Sequence, residues 1–211
     1  MSTTESRIRR FSLIQRLLHG VLAITFLGML WTGLCLWSPT FAEVMSRNVA
    51  RPWHEYFAIA LGVAFALVLV VRPRDLTAFA REVDTLDRAD MAWLRGGPRR
   101  LLDHRGAPEQ GWLNAGQKLN TALTMGLMVV LAITGVLLWL APGVPALRFA
   151  GTVDVHDIAT ILIVLLVCGH LYLSIIHPAT RRSLPGMVTG DVDRAWAREH
   201  HARWVREQEQ R

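Results

Sequence analysis

Four of the eight histidines in this chain fall within long apolar stretches or at their first turns. They are His19, His54, His156 and His170. An ionisable side chain at that depth is costly, so it usually faces the interior of a helix bundle and serves a function. Its nitrogens can bind a metal ion or carry a proton. A single membrane histidine, however, just as often only forms a hydrogen bond to a neighbouring helix. The arrangement of the four therefore decides which chemistry they favour.

Two of these histidines share one apolar stretch. His156 and His170 lie fourteen residues apart. On an α-helix, fourteen residues return to within about 40° of the starting direction and advance about 21 Å along the axis. One face of this helix is therefore predicted to present two imidazoles near opposite sides of the hydrocarbon core.

Four apolar runs must position these side chains, and each can form a helix that crosses roughly 30 Å of hydrocarbon. Prolines lie just outside the runs, where helix-breaking residues are expected. The second run reaches spanning length only if its helix begins near Pro52 and includes Trp53 and His54. The predicted fold class is all-α, an integral membrane four-helix bundle over residues 1–190. Its helices are expected over about residues 12–37, 53–72, 117–141 and 155–177.

Two segments outside these helices are also expected to carry structure. The loop over residues 73–116 mixes charged residues with Leu and Trp, which is typical of short amphipathic helices on a membrane face. The tail over residues 191–211 is strongly polar. It is expected to form one polar helix or a partly ordered arm.

Lys and Arg residues are distributed unevenly between the two sides of the bundle. Of the 23, twenty lie before the first apolar run, between the second and third runs, or after the fourth. Because cytoplasmic loops carry the excess of positive charge, both termini are predicted to face the cytoplasm, across the bacterial cytoplasmic (inner) membrane. The net charge of +6 therefore reflects membrane orientation, and no nucleic-acid partner is expected.

This orientation sorts the histidines into two pairs by depth. His54 and His156 lie near the outer face, whereas His19 and His170 lie toward the cytoplasmic side. Two imidazoles at one depth can occupy both axial positions of a haem iron, which leaves no open coordination site and favours electron transfer. The sequence has no CxxCH motif, and its two cysteines lack metal-binding spacing. The prediction is two non-covalent haem b groups held by these four iron ligands, with no catalytic residue and no iron–sulfur or zinc site.

Three segments resemble a known family, the cytochrome b (gamma) subunit of respiratory formate dehydrogenase, a di-haem membrane cytochrome b. One is Asn114-Ala115-Gly116-Gln117-Lys118, which leads into the third helix, and another is His170-Leu171-Tyr172. The third runs from Pro185 to Gly190 and continues through Trp196–His201 to Trp204. With the histidine arrangement, these segments extend the resemblance over nearly the whole chain.

The resemblance implies a quinone-reducing subunit whose formate-oxidising activity lies in a partner. In that family the subunit anchors an iron–sulfur subunit and a molybdenum or tungsten catalytic subunit to the lipid membrane. Electrons from formate enter the outer haem, cross to the inner haem and reduce a quinone, menaquinone or ubiquinone, near the cytoplasmic face. The matching quinone contacts are Asn114, Gly116 and Gln117, beside His170. Taken without the resemblance, Asn114 and Gln117 are better explained as caps of the third helix.

Two other interpretations stay open at this point. The histidine arrangement alone is shared with cytochromes b that serve other enzymes, such as a nickel–iron hydrogenase or a thiosulfate reductase. In another class, a non-haem membrane anchor or transporter would use the histidines to bind a metal or relay protons, and it would be colourless. Of the other histidines, His200 and His201 are expected to make contacts or to lie on the surface rather than to bind a metal, and His104 is expected to be solvated.

Overall fold

The computed structural model describes residues 6–97, 99–102 and 106–210, and most of them are helical. Four helices are long and apolar enough to cross a membrane. Many of their large apolar side chains are exposed, as expected for surfaces that face lipid rather than water. The prediction of an all-α, multi-pass membrane protein is therefore confirmed. The elements in chain order are β1 (Arg7–Arg9), α1 (Leu13–Trp37), α2 (Pro39–Ala42), α3 (Arg47–Val71), α4 (Pro73–Asp84), α5 (Arg88–Arg95), α6 (Arg99–Leu102), α7 (Ala115–Leu140), a 3-10 turn (Pro145–Leu147), α8 (Thr152–Leu171), a π-helical turn (Tyr172–Ile176), a 3-10 turn (Arg181–Ser183), α9 (Leu184–Val188), β2 (Asp191–Asp193), α10 (Arg194–His200) and α11 (Ala202–Glu209).

The chain divides into two compact units. One unit, Ser12–Ala78, contains α1 packed along α3. The other contains the remaining described residues, with α7 packed along α8 and with the short strands near both chain ends. Each unit is therefore built on one pair of long helices.

Local sequence signals fix where three of the long helices begin. Ser12 caps α1 and Asn114 caps α7, and each forms a capping box with a glutamine three residues later. Gly151 precedes α8 with a φ of 79°, in the left-handed region that favours glycine. The observed starts of these helices lie within three residues of the predicted ones.

The second long helix begins earlier than the sequence predicts. We expected its start near Pro52, but α3 begins at Arg47, so Pro52 lies inside it. A proline removes its own backbone hydrogen bond, here the one to the Asn48 carbonyl, and leaves those of the preceding turn intact. The Ala50 N–H donates to the Ser46 carbonyl, so the first turn forms before the proline. The expected start of this helix was therefore wrong.

The segment between α3 and α7 contains α4, α5 and α6, which confirms the expected short helices. The carboxylate of Asp87 caps α5 by accepting the Asp90 N–H at 2.8 Å. The buried residues of α5 are Asp90 and Trp93. This segment therefore places an acidic side chain in the interior of its unit.

The C-terminal tail is folded into the unit that contains α7 and α8, contrary to expectation. β2 pairs antiparallel with β1, so that Val192 lies opposite Ile8. The tail is neither one polar helix nor an arm, because its tryptophans and valines bury one apolar face of an otherwise charged sequence. Ile8 and Trp112 pack against this buried cluster. The cluster consists of Val192, Trp196, Ala197, Trp204 and Val205.

Candidate functional site

The ring of His54 is oriented by two oxygen atoms of α1. Its Nδ1 lies 3.0 Å from Thr32 Oγ1 and 3.0 Å from the Met29 carbonyl oxygen. The hydroxyl of Thr32 donates its single proton within α1, to the Gly28 carbonyl at 2.8 Å. Both oxygens near the ring can therefore only accept, so Nδ1 must carry the proton of the neutral imidazole. Nε2 is then the nitrogen that carries the lone pair, which is what coordination of a metal ion requires.

The same reasoning applies to His156 in the other unit. Its Nδ1 lies 2.8 Å from Oγ1 of Thr134, a residue of α7. The Thr134 hydroxyl donates to the Val130 carbonyl of its own helix at 2.8 Å. With that hydroxyl proton on the Val130 carbonyl, Thr134 Oγ1 offers a lone pair to the ring, so we assign Nδ1 of His156 as the donor and Nε2 as the nitrogen with the lone pair. His54 and His156 therefore share one assigned tautomer, with Nδ1 toward a threonine of the neighbouring helix.

A threonine-glycine pair accompanies each of these histidines, and sequence reasoning did not predict its role. Thr32 and Thr134 each precede their histidine by 22 residues. A Cβ atom added to Gly33 would lie 3.5 Å from Cε1 of His54, and one added to Gly135 would lie 3.6 Å from Cε1 of His156. Each imidazole therefore packs closely against the neighbouring helix. The signal was present in the sequence as two Thr-Gly pairs, each at the same number of residues before a membrane histidine.

The inner histidines occupy different positions in the helices. His19 is half-buried on α1, early in the Ser12–Ala78 unit. His170 is exposed in the last turn of α8, immediately before the π-helical turn, and its carbonyl accepts the Ser174 hydroxyl proton at 2.7 Å. Single π-helical turns are frequent at functional sites. Each predicted pair takes one histidine from each unit, so the pairing itself stays a prediction.

Asn114 and Gln117 form the capping box that the sequence allowed. Oδ1 of Asn114 accepts the Gln117 N–H at 2.9 Å, and Oε1 of Gln117 accepts the Asn114 N–H at 3.0 Å. The box uses the side-chain oxygens and not the amide nitrogens Nδ2 and Nε2. Gly116 lies between them in the first turn of α7. The two residues therefore do cap α7. Because the capping box uses their side-chain oxygens, the amide nitrogens Nδ2 and Nε2 are the atoms suited to donate to a carbonyl ligand.

A buried arginine supports Gln117, and no sequence pattern predicts this contact. Arg10 is 5% exposed, and its Nη2 donates to Gln117 Oε1 at 3.3 Å and to the Trp112 carbonyl at 3.0 Å. The guanidinium carbon lies 5.2 Å from the centroid of the Phe11 ring and 5.4 Å from that of Trp196, as in cation–π contacts. Burial lowers the pKa of Arg10 to about 9, so the side chain is still a cation at neutral pH.

The single lysine of the chain lies in a buried ion pair. Lys118 is 3% exposed, and its Nζ donates to Asp90 Oδ2 at 2.8 Å and to the Thr85 carbonyl at 2.9 Å. Glu82 Oε1 lies 3.7 Å from the same Nζ. Asp90 is fully buried. This pair joins the start of α7 to α5, directly after the residues that cap α7.

The two tail histidines make contacts, as expected. Nδ1–H of His201 donates to the Gly111 carbonyl at 2.8 Å, and Nδ1–H of His200 donates to the Trp196 carbonyl at 3.1 Å. The His200 ring also stacks on Trp196 at 4.7 Å. Desolvation by burial lowers the pKa of His200, which favours the neutral ring. These side chains attach the tail to the rest of its unit, whereas His104 lies outside the described residues.

The extent of the family match identifies the kind of protein. The family model of prokaryotic cytochrome b561 matches residues 10–190. The chain belongs to this family. The match begins at Arg10, covers all four long helices and ends just before β2. This member of the prokaryotic cytochrome b561 family is therefore a membrane cytochrome b, with haem b as its cofactor and electron transfer as its activity.

Formate dehydrogenase subunits are similar to this family member along most of its length. The cytochrome b556(Fdn) subunit of the nitrate-inducible formate dehydrogenase of Escherichia coli K12 is 29% identical, over 95% of this chain and 91% of the relative. The formate dehydrogenase cytochrome b556(fdo) subunit of the same strain is 26% identical, over 95% and 92%. The formate dehydrogenase cytochrome b556 subunit of Haemophilus influenzae is 27% identical, over 98% and 85%. The resemblance detected in the sequence is confirmed.

Proposed function

We propose that this chain is the membrane subunit of a formate dehydrogenase that passes electrons from formate oxidation through two bis-histidine haems to a membrane quinone. The observation that carries the proposal is the hydrogen bonding of the outer histidines. Nδ1 of both His54 and His156 is assigned as a donor, so Nε2 of each would be the atom that binds iron. The names of the similar proteins support formate as the source of electrons.

The four histidines are assigned to the haems by depth. His54 and His156 would hold the outer haem, and His19 and His170 the inner one. When bound, a haem with two imidazole ligands takes up and releases one electron at its iron. The hydrogen bonds at Nδ1 hold each outer ring in one orientation and one tautomer, which is what a bis-imidazole site requires of its protein ligands. The inner ligands lie on the first and last long helices of the chain.

The distribution of positive charge supports an orientation with both termini in the cytoplasm of a bacterial cell. In that orientation His170 and the capping box of α7 lie on the cytoplasmic side of the inner membrane. A quinone, menaquinone or ubiquinone, takes up two electrons and two protons on reduction to the quinol. A cytoplasmic position for its head group therefore gives it direct access to protons from water.

We place the quinone head group at Asn114, Gly116 and Gln117. The oxygens of the two amides are engaged in the capping box, so their nitrogens would donate to the quinone carbonyl. Arg10 holds the Gln117 amide through Oε1. Its positive charge stabilises the negative charge that develops on a quinone oxygen during reduction.

The catalytic chemistry on formate belongs to partner subunits. An iron–sulfur subunit would deliver electrons to the outer haem, and a molybdenum or tungsten subunit would oxidise formate. This chain contributes ligands, a quinone site and attachment to the membrane. It therefore acts as the quinone-reducing part of the complex.

Replacing Gln117 with Glu tests the quinone site. Glu keeps the oxygen that accepts the Asn114 N–H and the Arg10 guanidinium, but it lacks the Nε2 donor. In the intact complex, the KM for quinone is expected to rise roughly tenfold, since a lost hydrogen bond of about 1.4 kcal/mol corresponds to that factor. The haem absorption spectrum is expected to stay unchanged.

A matched control exists in the capping box of α1. Gln15 occupies the same position there, and its Oε1 accepts the Ser12 N–H at 2.8 Å. Gln15→Glu should leave the KM for quinone unchanged. An unchanged KM in Gln117→Glu, with full haem content, would show that the quinone binds elsewhere.

A further inference from the structure

The two outer histidines, His54 and His156, share one kind of contact with a threonine. Each donates from Nδ1 to a threonine of the neighbouring helix, and that threonine is nearly inaccessible, with Thr32 1% and Thr134 7% exposed. The two Thr–His pairs are offset from one another by 102 residues. Within each unit, therefore, one long helix carries the acceptor and the next carries the histidine.

The repeat extends beyond the four residues. Thr32–Trp37 reads Thr-Gly-Leu-Cys-Leu-Trp, and Thr134–Trp139 reads Thr-Gly-Val-Leu-Leu-Trp. Positions one, two, five and six are identical, and the third is aliphatic in both. In each segment the glycine lies against Cε1 of the histidine ring. The two pairs of long helices are therefore copies of one local arrangement that presents a histidine from the second helix.

The inner ligands do not follow this repeat. The residue 102 positions after His19 is Thr121, and the residue 102 positions before His170 is Val68. His19 lies on the first helix of its pair, whereas His170 lies on the second helix of the other. The 102-residue repeat in the sequence therefore relates His54 to His156 and does not relate His19 to His170.

From these observations we propose that Thr32 and Thr134 are a matched pair of positioning residues, which fix the two outer haem ligands and set the reduction potential of that haem alone. The inference rests on the proposed assignment of His54 and His156 as ligands.

The physical basis lies in where the hydroxyl protons go. Each threonine donates to a carbonyl of its own helix, so its oxygen offers a lone pair to the histidine Nδ1–H. Such an acceptor makes the imidazole a more electron-rich ligand, which stabilises ferric relative to ferrous iron. Because the threonines are buried, water does not compete for the bond, and the effect on the ligand is strong. Each threonine is therefore expected to lower the reduction potential of the outer haem.

The experiment compares Thr32→Val and Thr134→Val with Thr32→Ser and Thr134→Ser in the intact, haem-loaded complex. Valine keeps the shape of threonine and removes the hydroxyl, whereas serine keeps the hydroxyl. Redox titration of the haem α-band resolves the two potentials. Both valine variants are expected to raise the outer potential, Thr134→Val by more, because His54 Nδ1–H keeps the Met29 carbonyl as an acceptor when Thr32 is replaced. The double variant should raise the potential more than either single one, and both serine variants should stay close to the wild type. The inner potential should not move.

Thr25 provides the control. It is buried on α1, and its hydroxyl donates to the Val21 carbonyl of its own helix at 2.8 Å. Thr25→Val removes the same kind of group from the same helix, and both potentials should stay unchanged.

The outcomes separate this inference from the proposed function. Loss of the outer haem in the valine variants, with retention in the serine variants, also supports the positioning role. Unchanged potentials in valine variants that retain both haems overturn it and leave the ligand assignment intact. A wild-type complex without two low-spin haems overturns the ligand assignment and this inference together.

Discussion

His170→Ala is expected to remove one of the two haems and to abolish quinone reduction by the complex, while formate oxidation with an artificial acceptor persists. Alanine has no nitrogen to coordinate iron, and a non-covalent haem that loses one of two axial ligands has only His19 left to hold it. Haem content should fall to about half, because one of the two proposed haems loses a ligand and the other keeps both. His19→Ala should give the same result.

His177→Ala is the matched control, because His177 lies seven residues after His170 at the end of the same helical segment. Its Nδ1 lies 3.2 Å from Thr180 Oγ1. The proposed function assigns His177 no role in binding haem iron. Full haem content and normal quinone reduction are expected. If His170→Ala kept both haems and a wild-type rate, the inner ligand would have to be another residue.

Lys118→Met is expected to destabilise the protein strongly. It removes the ammonium group that bonds Asp90 at 2.8 Å and leaves a fully buried carboxylate without its cation. Breaking a buried ion pair from one side costs roughly 3–5 kcal/mol. For a chain of this size, that loss lowers the midpoint of thermal unfolding by on the order of 10 °C. Thermal unfolding of the detergent-solubilised complex measures it.

A second substitution distinguishes the buried charge from a simple loss of packing. Lys118→Met combined with Asp90→Leu replaces the pair with apolar side chains, which is often close to neutral for stability. The double variant should therefore regain most of the lost stability. Arg206→Ala, which breaks the exposed pair with Glu109, should have little effect. A double variant as unstable as Lys118→Met would mean that the charge of Asp90 is not the cause.

The helices were predictable because they depend on local sequence, and local sequence also suggested which histidines to propose as ligands. An apolar run of membrane-spanning length identifies a helix wherever it occurs, and a histidine inside one stands out against its neighbours. The start of α3 was misjudged at Pro52 because a proline removes only its own backbone hydrogen bond. The turn before a proline can still be helical, and here the Ala50 N–H donates to the Ser46 carbonyl.

The contacts that surround the site were not predictable, because their partners lie far apart in the chain. Arg10 bonds Gln117 across 107 positions, and His201 bonds Gly111 across 90. Neither contact has a periodicity or a spacing that would reveal it. The tail was expected to be polar for the same reason, since its strand partner β1 lies at the opposite end of the chain.

The Thr-Gly repeat belongs to a third kind of signal, readable but easily overlooked. Two identical pairs at one distance from two membrane histidines are present in the sequence. In apolar segments, however, glycine and threonine are common at helix contacts for packing alone. Only the hydrogen bonds from Nδ1 gave the repeat a chemical meaning.

The proposed pair of bis-histidine haems is tested by the haem content of the purified wild-type complex, measured as pyridine haemochrome per copy of this chain and combined with a redox-titrated spectrum. We expect two b-type haems, both low-spin and each with two imidazole ligands, that titrate as separate one-electron centres. A colourless chain, or one with a single haem per copy, would contradict the proposal.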